Sequence, residues 1–115
     1  MIIIGFTGKT SKILPQIFCH KFRHVAVIVP VANILIMYQF VHRKKIVKIQ
    51  LKMRDLKILL KHGWTFIYLP GKTPHGFENI DVWTCVQLAK QAIGIHAVYI
   101  QTPYILYRRL KSLEF

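Results

Sequence analysis

Acid is what this sequence has least of. Its 115 residues hold 4 Asp and Glu against 17 Lys and Arg. The four, Asp55, Glu78, Asp81 and Glu114, are scattered along the chain. That distribution leaves little material for a paired-carboxylate hydrolase or a carboxylate-bound hard cation. Cysteine is scarcer still: Cys19 and Cys85 could form one bridge at most, which is no disulfide framework of the secreted kind and points to a reducing compartment. His20, His24, His42, His62, His75 and His96 are dispersed, with no Cys/His spacing of a zinc site beyond the adjacent Cys19 and His20. No metal and no cofactor are therefore expected. Repeats, linkers and low-complexity segments are also missing, so residues 1–115 read as one domain. The opening MIIIGFTGKTSK has neither the charged start nor the apolar length of a signal peptide. Its GKT lacks the first glycine of a phosphate-binding loop at the required distance, and the second GKT, Gly71–Thr73, has no helix directly behind it. The longest uncharged run, Val25–Val41, is near the lower length limit for a membrane-spanning helix. Pro30 and Asn33 interrupt it, and β-branched residues flank them, so two strands joined at Pro30–Asn33 are predicted and no integral span.

What is present is positive charge and apolar mass. A net charge of +13 implies attraction to polyanions: nucleic acid, anionic lipid or acidic cell-wall polymer. The basic residues concentrate in HRKKIVKIQLKMRDLK, His42–Lys57, and YRRLK, Tyr107–Lys111, the second with Tyr104 and Tyr107 beside it. No helix-turn-helix, zinc-finger or RNA-binding signature accompanies them. A non-enzymatic basic protein that binds nucleic acid or an anionic envelope is one reading of these features.

The apolar residues, 53% of the chain, are enough for a modest core. Ile2–Phe6 reads as a buried strand, and Ser11–Phe18 as an amphipathic stretch with Ile13, Ile17 and Phe18 on one face. Arg23–Val29 and Ile34–Val41 form the predicted hairpin, followed by a strand at Lys45–Leu51. Met53–His62 is a short helix on Leu56, Leu59 and Leu60, stopped by Gly63. Trp64–Leu69 is a strand, Pro70–Asp81 a loop, and Val82–Ile93 a helix capped by Asp81 and ended by Gly94. His96–Leu110 closes as a short strand or turn and a basic helical tail. Strands and helices so interspersed predict an α+β fold with an antiparallel sheet packed against helices.

The residues that could carry chemistry are a thiol and an imidazole. Cys85 stands at the opening of the predicted helix, where unsatisfied backbone N–H groups favour a thiolate and could receive an oxyanion. His24 heads a strand on which it shares a face with Ala26 and Ile28, and is a candidate base for that thiol. Gln39 on the adjoining hairpin strand is a candidate to orient the ring, with His42 and Tyr38 as alternatives. The plainer assignments are a cysteine packed as a small hydrophobe and a histidine satisfied at a strand end. Cys19, next to His20, lies past the end of its predicted helix, where the dipole disfavours a thiolate, and reads as structural.

The pieces IIIGFTGKTSKILPQIF, RHVAVIV and WTCVQLAKQAIG follow one another in an order that resembles the circularly permuted papain-like fold. That group includes permuted NlpC-type peptidases, lecithin retinol acyltransferase-like enzymes and small phage or bacterial proteins. The resemblance implies Cys85 as nucleophile, His24 as base and a polar third residue at Gln39, where many relatives carry an acid. It implies cleavage of an amide bond, often in cell-wall peptide, or transfer of an acyl group, through a thioester acyl-enzyme. The expected partners are then a peptide or acyl substrate and, through the basic surface, an anionic envelope or nucleic acid. The setting would be cytoplasmic or virion-associated.

Overall fold

The computed structural model describes residues 1–8, 24–42, 45–74, 76–77, 84–95, 100 and 102–114. Five strands form one antiparallel sheet in the order β4-β3-β2-β1-β5: β1 (Ile2–Thr7), β2 (His24–Val31), β3 (Ile34–His42), β4 (Lys45–Leu51) and β5 (Trp64–Leu69). Three helices accompany it: α1 (Met53–Lys61), α2 (Cys85–Ile93) and α3 (Pro103–Lys111). The fold is α+β. The predicted helix at Ser11–Phe18, with Cys19 and His20, lies outside the described residues, as does the start of the predicted closing strand or turn, 96–99.

Each strand owes its place to apolar alternation. In β1 every residue is buried, because the strand sits between β2 and β5 and has material on both faces. Ile2, Ile4 and Phe6 point to one side, where they join Val25, Val27, Ile67 and Leu69 in a core closed by α2 and α3. Ile3 points to the other, with Ala26, Ile28, Leu35, Met37 and Phe66, and Leu56 of α1 joins them. The register ties the two halves together: Ile3 faces Ile28 on β2 and Tyr68 on β5, and Thr7 faces His24 and Trp64. Gly5 is required by a close approach. A Cβ there would stand 3.0 Å from both Phe66 Cε1 and Trp64 Cε3, whose rings stack at 14° on the α1 side of the sheet.

The uncharged run Val25–Val41 is the β2–β3 hairpin, and no helix among the described residues is long and apolar enough to cross a membrane. Its turn is tighter than the predicted Pro30–Asn33. Val31 pairs with Ile34 and Pro30 with Leu35, leaving a loop of Ala32 and Asn33 with Ala32 at φ 56°. A two-residue hairpin loop needs positive φ at a central position, which Ala32 supplies despite its Cβ. Pro30 is tolerated inside the strand because the pairing with β1 ends at Ile28, so no ladder bond is lost on that side.

The helix ends follow from local chemistry. In α2 the cap is Thr84, not Asp81. Its backbone is extended (φ −143°, ψ 161°) and its hydroxyl accepts the Gln87 N–H at 3.1 Å. Asp81 lies outside the described residues. Gly94, at φ 76°, closes the helix in the left-handed region, and the Ile95 N–H reaches back to the Lys90 carbonyl. Thr102 caps α3 in the same way, accepting the Ile105 N–H at 3.2 Å, with Pro103 in the first turn where its missing N–H costs nothing. The carboxylate of Asp55 accepts the Lys52 N–H at 2.8 Å across the first turn of α1.

Candidate functional site

The Thr84 cap makes Cys85 the first residue of α2. Cys85 is a thiol, half-buried, and it packs against the core that contains Val86, Ala89, Val25 and Val27. Ala89 and Ala92, both fully buried, keep this helix close to the sheet. The sulfur sits at the positive end of the helix dipole, in a helix that starts three residues later than the sequence predicts, at Cys85 behind Thr84 rather than at Val82 behind Asp81.

The imidazole is placed differently. His24 opens β2 opposite Thr7, and Trp64 is Thr7's other neighbour across the sheet. Residues directly opposite one another project to the same side, so His24, Thr7 and Trp64 form a row on the α1 face. The His24 and Trp64 rings meet edge to face, with centroids 6.2 Å apart. Gln39 faces Ala26 and so shares that side; its Nε2 donates to Met37 Sδ at 3.4 Å. The structure thus brings His24 and Gln39 to one face, as the register of a hairpin requires. The helix carrying Cys85 packs on the opposite face, against Val25 and Val27. Alternation along β2 thus directs His24 to one face and Val25 and Val27, which pack with Cys85, to the other. Tyr38, one of the alternatives to Gln39, faces Val27 and lies on the α2 side, where its ring meets Phe77 at 4.9 Å. Of His42 only the backbone is described, opposite Lys45.

A cavity of about 380 Å³ opens elsewhere, between the end of β5 and the C-terminal ends of α2 and α3. Ile2, Leu69, Ile93, Ile95 and Leu110 line it, with Lys72 at its edge. Neither Cys85, His24 nor Gln39 contributes to it. Among the described residues no three His, Cys, Asp or Glu side chains gather to hold a metal ion.

Charge is the property the surface displays most plainly. Lys45, Lys48, Lys52, Arg54, Lys57, Lys61, Lys72, Arg108, Arg109 and Lys111 are all exposed. Lys48 lies over the Tyr38 ring at 5.7 Å and Arg108 over the Tyr104 ring at 5.9 Å, so two cations are seated on aromatic faces at the surface. Among the described residues Lys111 forms an ion pair with Glu114 at 2.8 Å. The Lys111 ammonium holds the Glu114 carboxyl below its usual range, helped by a hydrogen bond from the Tyr68 N–H and opposed by desolvation. The same contact raises Lys111. The hydrogen bond from the Tyr68 N–H to Glu114 fastens the chain after α3 to β5. Asp55 is engaged at the start of α1. The other exposed cations face solvent on a chain with almost no acid to balance them.

The sequence located the basic segments but not their setting: the aromatic seats of Lys48 and Arg108 depend on cross-strand pairing of Lys48 with Tyr38 and on the helical spacing of Tyr104 and Arg108. The second is readable as an i, i+4 pair; the first requires the register. No protein family, curated protein or solved structure matches the chain.

Proposed function

We propose that this is a basic binding protein whose α+β scaffold holds exposed cations for a polyanionic partner. The observation that carries the reading is the surface just described: cations on β4, α1 and α3 stand exposed on a chain of net charge +13. Folding this charge onto one small body costs self-repulsion, and a polyanion relieves it. Binding should release condensed counterions, so the logarithm of the association constant should fall linearly with the logarithm of salt concentration. Titration of the full chain against single-stranded DNA and against anionic vesicles across a salt series tests this. A steep salt slope with either partner, without sequence preference for the DNA, is the expected result. No binding to either at low salt contradicts the proposal.

A second reading, acyl transfer at Cys85 in a permuted papain-like protein, has one observation in its favour: the thiol opens α2 behind a Thr84 cap. In that chemistry the sulfur would attack a carbonyl carbon, the amine would leave with a proton, and water would release the acyl group from the thioester. The pairing of His24, which opens β2, with this thiol is the premise the reading adds. Labelling with a thiol-directed electrophile across pH, on the wild type and on Cys85→Ala, Cys19→Ala and His24→Ala, separates the cases. His24→Ala is expected to leave the pH profile of Cys85 labelling unchanged. A profile that loses its neutral-pH limb in His24→Ala would restore the pair.

A further inference from the structure

Helix α1 differs from the other two in what it shows to solvent. Its core side is narrow: Leu56 is buried and Leu59 half-buried. Outside, Met53 is 60% exposed, Ile58 51% and Leu60 51%. Such exposure of three large apolar side chains in nine residues is a local excess, not the ordinary scatter of single surface hydrophobics. The arrangement is ordered. Arg54, Lys57 and Lys61, spaced three and four apart, fall on the outward side of the helix. Met53 and Leu60, seven apart, flank that basic row on one side and Ile58 on the other. Asp55, the helix's acid, is turned back to the Lys52 N–H and leaves the outward row uniformly positive. Ile49, on edge strand β4, extends the apolar surface: it faces Met37, shares the α1 side of the sheet and is 38% exposed.

We infer that α1 is a docking surface for an anionic lipid bilayer, with Arg54, Lys57 and Lys61 at the headgroup phosphates and Met53, Ile58 and Leu60 entering the acyl boundary. The inference rests on the polyanion reading and names its partner. Cations alone would suit DNA equally well, but DNA phosphates offer no apolar phase for Met53, Ile58 and Leu60, whereas a membrane surface takes both kinds of side chain at once. A second copy of the chain would bring one uniformly basic row toward another, which repels. An anionic membrane complements the charge and the apolar side chains together.

The test is co-sedimentation of the full chain with phosphatidylcholine vesicles, with and without phosphatidylglycerol, beside a titration against single-stranded DNA. Three variants accompany the wild type: Arg54→Gln with Lys57→Gln and Lys61→Gln; Met53→Ser with Ile58→Ser and Leu60→Ser; and the charge-matched control Lys72→Gln with Arg108→Gln and Arg109→Gln. All nine side chains are exposed, and far-UV circular dichroism verifies that each variant folds. Of the two kinds of vesicle, only the anionic one is expected to bind, and DNA is expected to bind as well. The α1 glutamine variant should lose on the order of 100-fold in vesicle affinity. The α1 serine variant should lose vesicle binding while keeping its DNA affinity, and the control should keep most of its vesicle binding. DNA binding without vesicle binding overturns the lipid surface and leaves the polyanion reading standing. Binding to neither removes both. A control variant that loses as much as the α1 glutamine variant also overturns the assignment to α1.

Discussion

The two faces of the sheet are built to different depths. On one, α2 and α3 contribute Val86, Leu88, Ala89, Ala92, Leu106 and Leu110, all buried, to a core that also takes Ile2, Ile4, Phe6, Val25 and Val27. On the other, among the described residues, α1 contributes buried Leu56 and half-buried Leu59, and the other members come from the strands. Buried apolar area is the main stabilising term, so among the described residues the first face carries more of the stabilisation than the second. The second face is also the one that exposes Met53, Ile58 and Leu60 among cations. A scaffold that is stable on one side leaves the other side free to carry a surface that does not pay back in folding energy.

The largest expected effect separates the faces directly. Leu106→Ala, in a fully buried position of α3, should cost about 3 to 5 kcal/mol and lower the midpoint of a cooperative denaturant transition. Leu56→Ala should cost about 2 kcal/mol, near the lower end of such substitutions, because α1 can detach without dissolving the other core. Equal losses from the two would mean that the faces are held equally. Gly5→Ala probes the aromatic row on the α1 side. With Phe66 and Trp64 carbons 3.0 Å from the new Cβ, both rings must shift, and a loss of about 1 to 3 kcal/mol with altered tryptophan fluorescence is expected.

A smaller effect tests the helix start on the deeper face. Thr84→Ala removes the acceptor of the Gln87 N–H and should cost about 1 kcal/mol, measured by thermal or denaturant unfolding, whereas Thr84→Ser should retain most of it. The smallest concerns pH. The Glu114 carboxyl is held low by Lys111, so its contribution is present above the ordinary carboxyl range and is lost as pH falls through its folded value. The protection of the Tyr68 amide, whose N–H reaches Glu114, relative to its intrinsic exchange rate should therefore fall as the pH drops, and Glu114→Gln should remove that pH dependence.

Much of this architecture was legible in the residues. The alternation in RHVAVIV and ILIMYQFV announces two strands, Gly63 and Gly94 mark helix ends, and the basic segments are plain to see. The candidate site was not legible to the same degree, and β2 shows why. Sequence correctly grouped His24 with Ala26 and Ile28, but Val25 and Val27 on the other side are equally apolar and equally buried. A strand buried on both faces carries no polar side to say which helix will cover which face. The identity of the neighbour opposite His24 is set by pairing of β1 with β2 and β5, which are distant in sequence. The helix start was misplaced for a local reason: Asp81 and Thr84 are both good caps, and an extended backbone at Thr84 with its hydroxyl on Gln87 decided between them.

The most direct test of the difference between the faces is hydrogen exchange of the full chain, free and on anionic vesicles. In the free protein, α1 amides should exchange through a low-energy local opening while the central amides of α2 and α3 exchange only with global unfolding. On vesicles, added protection should appear in α1 and leave α2 and α3 unchanged. Protection that appears on α2 or α3 instead, or an α1 already as slow as they are in the free protein, would contradict the account.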